Sequence, residues 1–310
     1  MPNIPIHPAS ASNFAEQFNT LFAVLFGLSL LFGGSVLGML AYYAVRYRAG
    51  SSAPRKELDI ATPRHEMLVV GLPLVLSLAI FAWGARLYTA ERTIPKNATE
   101  IFVMGKQWMW HVYHPDGVRE MDSLTLPVGQ PVRLTMVSED VIHSFYVPAF
   151  RVQYFVLPGR YTGLWFTPTK TGRFLLLCNQ YCGMDHSRMV GHVDVLSQAD
   201  YAKWLASRER PNSAPTPTVF ERGRQLFAEK SCGSCHGAKD TAKAPSLQRL
   251  FGRTRPLKAG GTAVADADYL RNAMIQPDHF RLVGYPDSMP SYVNLDAQDV
   301  WALVKYLESQ

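Results

Sequence analysis

The sequence predicts a multidomain chain with three unlike parts: a two-helix transmembrane hairpin, an all-β Greek-key barrel and an all-α C-terminal domain. Two long uncharged runs near the N-terminus predict the hairpin. Short runs of β-branched and aromatic residues between turn signals predict the barrel. Amphipathic helical segments in the last third predict the α-domain. The chain has 310 residues, 47% of them apolar, which suits membrane segments joined to soluble modules.

Residues 1–97 are predicted to hold an extracytoplasmic N-terminus and a membrane anchor with spans at about 20–45 and 66–88. Leu21 to Val45 and Met67 to Ala85 carry no charged residue. Each run is long enough to cross ~30 Å of hydrocarbon as a helix. For the second run, which contains Pro73, a buried core helix is the alternative.

Basic residues predict the orientation of the anchor. No Lys or Arg precedes the first span, whereas the loop between the spans contains Arg46, Arg48, Arg55, Lys56 and Arg64. The loop is therefore expected in the cytoplasm, with both ends of the chain on the outer side of the membrane. The net charge of +6 partly reflects this loop, and no nucleic-acid-binding patch is predicted.

Beyond the second span, the residue pattern changes to that of a barrel. Turn signals such as Pro158-Gly159 separate the apolar runs. Predicted strands include 100–104, 109–113, 132–137, 161–166 and 174–177.

Two cysteines four positions apart, Cys178 and Cys182, share a twelve-residue run with His186 and Met189. Soft sulfur combined with imidazole favours copper, and a second cysteine allows two sulfurs to bridge two metal ions. A structural disulfide or a zinc pair is the alternative.

Together with the upstream segment around His143, this run resembles the CuA domain of cytochrome c oxidase subunit II. The resemblance implies a cupredoxin-like domain over residues 98–208 that binds a dinuclear copper centre, CuA. By this resemblance the ligands are the side chains of His143, Cys178, Cys182, His186 and Met189 and the main-chain carbonyl of Gln180. Many members have a glutamate at the position of Gln180 that also binds magnesium, and a neutral amide is a poor ligand for that ion.

The same resemblance assigns roles to two residues outside the metal-binding run. It implies that Trp108 is the surface relay through which electrons reach copper, with core packing as the alternative; packing is the expected role of Trp110. Glu66, seven residues before Pro73, matches a glutamate at the mouth of a proton pathway. The alternative for Glu66 is an interfacial residue paired with Arg64 or His65.

Residues 209–217 are rich in proline and small polar residues and are predicted to link the barrel to a domain over 218–310. There, the run from Cys232 through Cys235 to His236 is the attachment signature of covalent haem c, although a disulfide or zinc knuckle is its alternative. With Gly223 and Phe227 before it and helices at 266–275 and 297–308, the domain resembles class I cytochrome c. That resemblance implies Pro245 as the residue that steadies His236 and Met289 as the sixth iron ligand, with Met274 in the core.

The fused order resembles subunit II of the caa-type haem-copper oxidases. This implies that electrons pass from soluble cytochrome c or another periplasmic donor through haem c and CuA to subunit I, which reduces oxygen to water with proton translocation. Subunit III is a further expected partner, and no catalytic residue is expected in this chain. A nitric oxide reductase subunit and a free-standing membrane-anchored carrier are the alternatives; a second span disfavours the carrier.

Overall fold

The computed structural model describes residues 8–55, 63–208 and 217–310. The chain forms two compact units, one over Asn13–Ile94 and the other combining Pro95–Gln310 with the N-terminal segment up to Ser12. The predicted linker at 209–217 lies outside the described residues except for Pro217. Lys56 of the predicted cytoplasmic loop lies outside them as well.

Two long helices make up the first unit, α1 over Ala15–Arg46 and α2 over Pro63–Arg92. Both are apolar enough to cross a membrane, and none of the apolar window of α2 is buried within the described residues. A row of exposed apolar side chains is unfavourable in water but is solvated by lipid, which argues against the core-helix alternative. Each helix extends beyond its predicted span because hydropathy does not detect the polar turns at its ends.

Ten strands of the second unit form two five-stranded sheets. Their bounds are β1 Thr99–Lys106, β2 Met109–Tyr113, β3 Arg119–Met121, β4 Ser123–Pro127, β5 Val132–Ser138, β6 His143–Val147, β7 Val152–Val156, β8 Thr162–Phe166, β9 Gly172–Cys178 and β10 Val190–Leu196. The strand orders are β3-β2-β1-β5-β8 and β4-β10-β9-β6-β7. Parallel pairing of β1 with β5 and of β10 with β4 requires the chain to cross between the sheets. The predicted all-β barrel is therefore present.

Alternation along the strands fills the barrel with apolar side chains. On β1, Ile101 and Val103 are fully buried, and Trp110, Phe145 and Leu176 extend the same core. All five predicted strand runs named above fall on strands, namely β1, β2, β5, β8 and β9. Trp108 is different, because it lies in the turn between β1 and β2 and not in a strand.

The segment before α1 pairs with the barrel. The Ala11 N–H donates to the Ala149 carbonyl, and the Ala11 carbonyl accepts from the Thr169 N–H, each at 2.9 Å. The Ser12 hydroxyl donates to the Phe150 carbonyl at 2.7 Å. The residues before the first span and the barrel after the second span are thus parts of one unit.

Helix α3 covers Gln198–Arg208, and the C-terminal domain contains α4 Val219–Glu229, α5 Ala267–Ile275, α6 Ala297–Glu308 and a short hairpin of β11 Thr254–Pro256 and β12 Thr262–Val264. Thr218 caps α4 in a reciprocal capping box with Glu221. Asp296 caps α6. Helices α4 and α6 cross at Gly223, where a Cβ atom would lie 2.0 Å from the Ala302 carbonyl oxygen, so only glycine allows this approach.

The C-terminal domain packs on the outer face of the first barrel sheet. Phe102, Met104, Tyr113 and Val137 of the barrel share one buried apolar cluster with Trp301 and its neighbours in the C-terminal domain. The two domains are therefore in direct contact as well as joined by the linker.

Candidate metal and haem sites

The two barrel cysteines lie side by side. Cys178 ends β9 and Cys182 lies in the loop that follows, and both are buried. Their Sγ atoms are 3.8 Å apart, far beyond the ~2.05 Å of a disulfide bond. Both are free thiols, so the disulfide alternative has no support here.

Four further donor atoms surround the sulfur pair. The Nδ1 atom of His143 lies 3.9 Å from the Cys178 sulfur, and the Nδ1 atom of His186 lies 3.5 Å from the Cys182 sulfur. The Sδ atom of Met189 is 3.9 Å from the Cys182 sulfur, and the Gln180 carbonyl oxygen is 3.2 Å from the Cys178 sulfur. All six groups suggested by the sequence therefore converge.

The strand register produces this convergence. Phe145 of β6 pairs with Cys178 at the end of β9, which brings His143 at the start of β6 to the same end of the barrel. The Cys178 N–H donates to the Met189 carbonyl at 3.2 Å, closing the loop between them. A rigid barrel thus holds donors that lie far apart in sequence.

The donor set suits a soft metal ion. One ligand atom each from His143, Cys178 and Cys182 lies within 4.8 Å of the others. Thiolate and thioether sulfur select copper over hard ions such as magnesium. Each sulfur has its own imidazole neighbour, His143 for Cys178 and His186 for Cys182, which fits a site that two metal ions share.

The two thiols differ in acidity. Burial raises the pKa of Cys178, but hydrogen bonding with the His143 ring and with the Ser144 backbone lowers it to about 6 overall. Burial and the neighbouring Cys178 charge raise the pKa of Cys182 to about 12. A bound cation would supply the positive field needed to ionise both thiols.

Asp140 is a residue of this site that sequence reasoning missed. Its Oδ1 atom lies 2.8 Å from Nε2 of His143, while Oδ2 accepts from the Gln107 N–H at 2.8 Å. An Nε2–H bond to a carboxylate leaves Nδ1 free to bind metal and fixes the direction of the ring. The signal in the sequence was an acid three residues before the histidine.

The tryptophans occupy different positions around the site. The Trp108 ring N–H donates to the Cys182 carbonyl at 3.3 Å, beside the Gln107 amide, which donates to the same oxygen at 2.7 Å. Trp110 is fully buried, with its ring 6.0 Å from that of His143 and edge-on to it. Trp108 is thus half-buried, whereas Trp110 packs in the barrel core.

The cysteines of the C-terminal domain follow α4. Cys232 lies in a short 3₁₀ turn, Cys235 follows it, and both are free thiols. The Nδ1 atom of His236 lies 2.9 Å from the Pro245 carbonyl oxygen. A ring N–H donated to that carbonyl leaves Nε2 available for iron.

An apolar cleft of about 290 Å³ opens beside these residues. Cys232, Cys235 and His236 line one side of it, and Met274 and Met289 also line it. Met289 is 39% exposed and Met274 only 6%. Two free thiols, an oriented imidazole and thioethers around an apolar cleft fit a covalently held haem.

Glu66 lies in the first turn of α2, ahead of Pro73. It belongs to the helical unit, so its role as the mouth of a proton pathway stays a prediction.

A Greek-key barrel with a soft-donor cluster, carried on apolar helices and joined to a small helical haem-type domain, defines a membrane-anchored electron-transfer protein. Comparison with known proteins supports this class. The family described as cytochrome C oxidase subunit II, periplasmic domain, matches residues 116–196, and the family described as cytochrome c matches residues 220–310.

Individual relatives match different shares of the chain, and one of them covers most of it. Cytochrome c oxidase subunit 2 of Alkalihalophilus pseudofirmus is 31% identical over 246 residues, covering 78% of this chain and 69% of the relative. The alternative cytochrome c oxidase subunit 2 of Bradyrhizobium diazoefficiens is 32% identical over 171 residues, covering 45% of this chain and 60% of the relative. The crystal structure of the periplasmic domain of subunit II of cytochrome oxidase from Bradyrhizobium japonicum is 29% identical, with a TM-score of 0.36, and covers 37% of this chain and 96% of that one.

The chain belongs to the cytochrome c oxidase subunit II family. It is subunit II of a haem-copper oxidase with a cytochrome c domain, which confirms the fold class predicted from sequence. Its cytochrome c domain implies haem c, its barrel implies copper, and its family implies a subunit I partner. The apolar helices anchor it in a membrane with the barrel outside.

Proposed function

We propose that this chain receives electrons for the oxidase and passes them through haem c and a dinuclear CuA centre to subunit I. Subunit I then reduces oxygen to water with proton translocation. One observation carries the proposal. The sulfurs of two free thiols lie side by side, and two imidazoles, a thioether and a main-chain carbonyl each place a donor atom within 3.9 Å of one of them.

In this proposal the copper ligands are His143, Cys178, Cys182, His186, Met189 and the Gln180 carbonyl. When bound, the copper pair supplies a one-electron acceptor whose charge is shared by two ions. The protein holds the donors in position, because β6 pairs with β9 and the Cys178 N–H donates to the Met189 carbonyl at the end of the loop before β10. Fixed ligands keep the geometric change on electron transfer small.

For haem c, Cys232 and Cys235 would hold the porphyrin covalently, and His236 would bind the iron. The contact with Pro245 would hold the imidazole in one orientation. Met289 is the proposed sixth ligand, since a thioether raises the reduction potential toward that needed for electron transfer to copper.

The remaining assignments follow from family membership and charge. The proposed donor is soluble cytochrome c or another periplasmic carrier, with Trp108 as the surface relay beside Cys182. Subunit III is a further proposed partner, and the proposed location is a bacterial inner membrane with both soluble domains in the periplasm. Glu66 is proposed at the mouth of a proton pathway into subunit I.

Metal and haem content of the full-length chain tests the proposal. We expect two copper ions per covalent haem and a spin-resonance spectrum of one unpaired electron shared by both coppers. Cys178→Ser or Cys182→Ser should abolish the near-infrared absorption of the copper pair. Retention of that absorption in either variant, or a single bound copper, would refute the dinuclear assignment.

The copper loop offers a matched pair of methionines as a control. Met189 is 1% exposed and lies in the donor cluster, whereas Met184 in the same loop is 92% exposed. Met189→Leu should change the copper spectrum, and Met184→Leu should leave it unchanged. The complex that copurifies with this chain should consume oxygen and not nitric oxide. That result would exclude the nitric oxide reductase alternative.

A further inference from the structure

Helix α6 separates the haem cleft from the copper barrel. Leu303 and Leu307 on one face of the helix line the cleft. Trp301 and Lys305 on another face meet the barrel, where Lys305 pairs with Glu100 at 3.0 Å. An α-helix is ~10 Å across, so a single helix lies between the cleft and the outer face of the sheet.

Helix α5 is arranged in the same way. Leu270 and Met274 line the cleft. On the barrel side, the Asp268 carboxylate accepts from the Tyr161 N–H at 2.6 Å, and the Arg271 guanidinium lies 5.9 Å from the centre of the Tyr161 ring. Both helices thus use one face for the cleft and another for the barrel.

A buried aromatic stack joins the two domains. The Trp301 ring, 4% exposed, is parallel to the Phe102 ring, 1% exposed, with 5.2 Å between centroids and 10° between planes. Tyr161 lies edge-on to both rings, at 5.0 Å from Trp301 and 6.2 Å from Phe102. This is the one place where conjugated side chains of the two domains stack in parallel among the described residues.

Strand β1 connects this stack to the copper site. Phe102 and Gly105 are three residues apart on β1, and Gly105 lies against the His143 ring, where an added Cβ would be 3.1 Å from Cδ2. The absence of a side chain at Gly105 therefore places the strand backbone in contact with a proposed copper ligand. The β1 backbone from Phe102 to Gly105 therefore links the aromatic stack to the His143 ring through covalent bonds.

We infer that the cytochrome c domain is a docked donor, and that electrons pass from haem to copper through Trp301, Phe102 and β1. This inference rests on the proposed function and deepens it. The step is a one-electron exchange in which ferrous haem becomes ferric and the copper pair is reduced, with no bond formed and no proton moved. Tunnelling through bonded and packed atoms is faster than through gaps, which favours this route.

The route does not use Trp108. In the described part of the chain, the buried interdomain cluster contains Phe102 and Trp301 but not Trp108, which hydrogen-bonds to the Cys182 carbonyl instead. The fused domain and Trp108 therefore approach the copper site from different surfaces.

Docking can be tested without copper. In the copper-free, haem-containing full-length chain, hydroxyl-radical labelling of Met104 and Tyr113 reports whether the haem domain covers them. Lys305→Glu places like charges against Glu100 and should raise labelling several-fold, and the double swap Glu100→Lys with Lys305→Glu should restore protection. The inference would be overturned if Met104 and Tyr113 were labelled as strongly as fully exposed side chains in both the wild type and Lys305→Glu. That result would show that the haem domain does not dock.

The route is tested by photoreducing the haem in the copper-loaded full-length chain and timing copper reduction. Phe102→Leu keeps an apolar side chain but removes the ring, so a several-fold slower transfer is expected with unchanged optical spectra and potentials. Phe166→Leu is the matched control, because Phe166 is equally buried in the barrel but packs against Phe150 and lies outside the interdomain cluster. It should transfer at the wild-type rate.

Trp301→Leu provides the same test from the other domain. If Phe102→Leu and Trp301→Leu transfer at the wild-type rate while Trp108→Phe slows the step, the route is overturned. Loss of the copper or haem spectrum in the wild type would instead refute the proposed function, so the two failures are distinguishable.

Discussion

The Nε2 atom of His143 lies 2.8 Å from Oδ1 of Asp140, three residues earlier in the chain. Asp140 is itself fixed, because it accepts hydrogen bonds from the backbone N–H groups of Gln107 and Val141. The imidazole is therefore held with Nδ1 directed at Cys178 before any metal binds.

Asp140→Asn should weaken copper binding. An asparagine either presents an N–H to Nε2 or accepts a weaker bond than a carboxylate does, so the ring loses its fixed tautomer. Partners of this kind typically contribute about 10–100-fold in metal affinity, and we expect a loss in that range by competitive copper titration. Glu139→Gln is the control, because Glu139 forms a 3.1 Å surface ion pair with the exposed Lys106; an equal loss there would contradict the prediction.

Gly223→Ala should destabilise the cytochrome c domain. The added methyl would lie 2.0 Å from the Ala302 carbonyl, a backbone atom that can move only if α4 and α6 separate. Overpacking of this kind costs about 1–3 kcal/mol, measured as the free energy of unfolding followed by haem absorption. Gly233→Ala meets only a Phe227 ring carbon at 3.5 Å, so it should cost far less.

The Glu100–Lys305 pair should make docking depend on pH. Burial raises the pKa of Glu100, but the Thr135 hydroxyl and Lys305 lower it below 4.5 overall. Burial lowers the pKa of Lys305, but Glu308 and Glu100 raise it above 10.5 overall. The pair therefore stabilises the docked state between these values and loses its effect as pH falls through the folded pKa of Glu100 or rises through that of Lys305.

The measurement for this pH prediction is labelling of Met104 in the wild type and in Glu100→Gln. Partly exposed pairs contribute up to about 1 kcal/mol, so the variant should show at most about fivefold more labelling near neutral pH. The difference should vanish at pH values well below 4.5. Arg133, 3.6 Å from Glu100, retains its charge throughout and is common to both proteins. A difference that persists at acid pH would mean that the carboxylate charge is not the cause.

Substitutions of the two methionines of the haem cleft should have opposite effects on the haem spectrum. Met289→Ala should abolish the sulfur-to-iron charge-transfer band of ferric haem, because the sixth ligand is lost. Met274→Leu should keep the band and reduce stability by less than about 1.5 kcal/mol, since it replaces one buried apolar side chain by another of similar volume. If the band were lost in Met274→Leu and kept in Met289→Ala, Met274 would be the sixth iron ligand and Met289 would not.

Local features were the part of this protein that the sequence predicted well. Both membrane helices and the strands predicted at 109–113 and 132–137 follow from hydropathy and alternation. His143 was different, because a lone histidine far from the cysteines carries no local signal and was found through family resemblance. Its position depends on the β6–β9 register, which is a tertiary property.

The contacts between the barrel and the C-terminal domain could not be predicted from sequence patterns. Nothing in the segment around Phe102 or in that around Trp301 indicates that the two rings stack, since each reads as an ordinary core aromatic. The linker composition suggested only a tether. Trp108 lies in the hairpin turn between β1 and β2, so its contact with the Cys182 carbonyl also depends on tertiary structure.

The backbone bonds of Ala11 to Ala149 and Thr169 have a practical consequence for producing soluble fragments. A barrel fragment that begins after the second membrane helix would leave the Ala149 carbonyl and the Thr169 N–H without these hydrogen-bond partners. Adding the peptide before α1 back to such a fragment should raise its stability, because the peptide supplies both partners without any part of the membrane anchor.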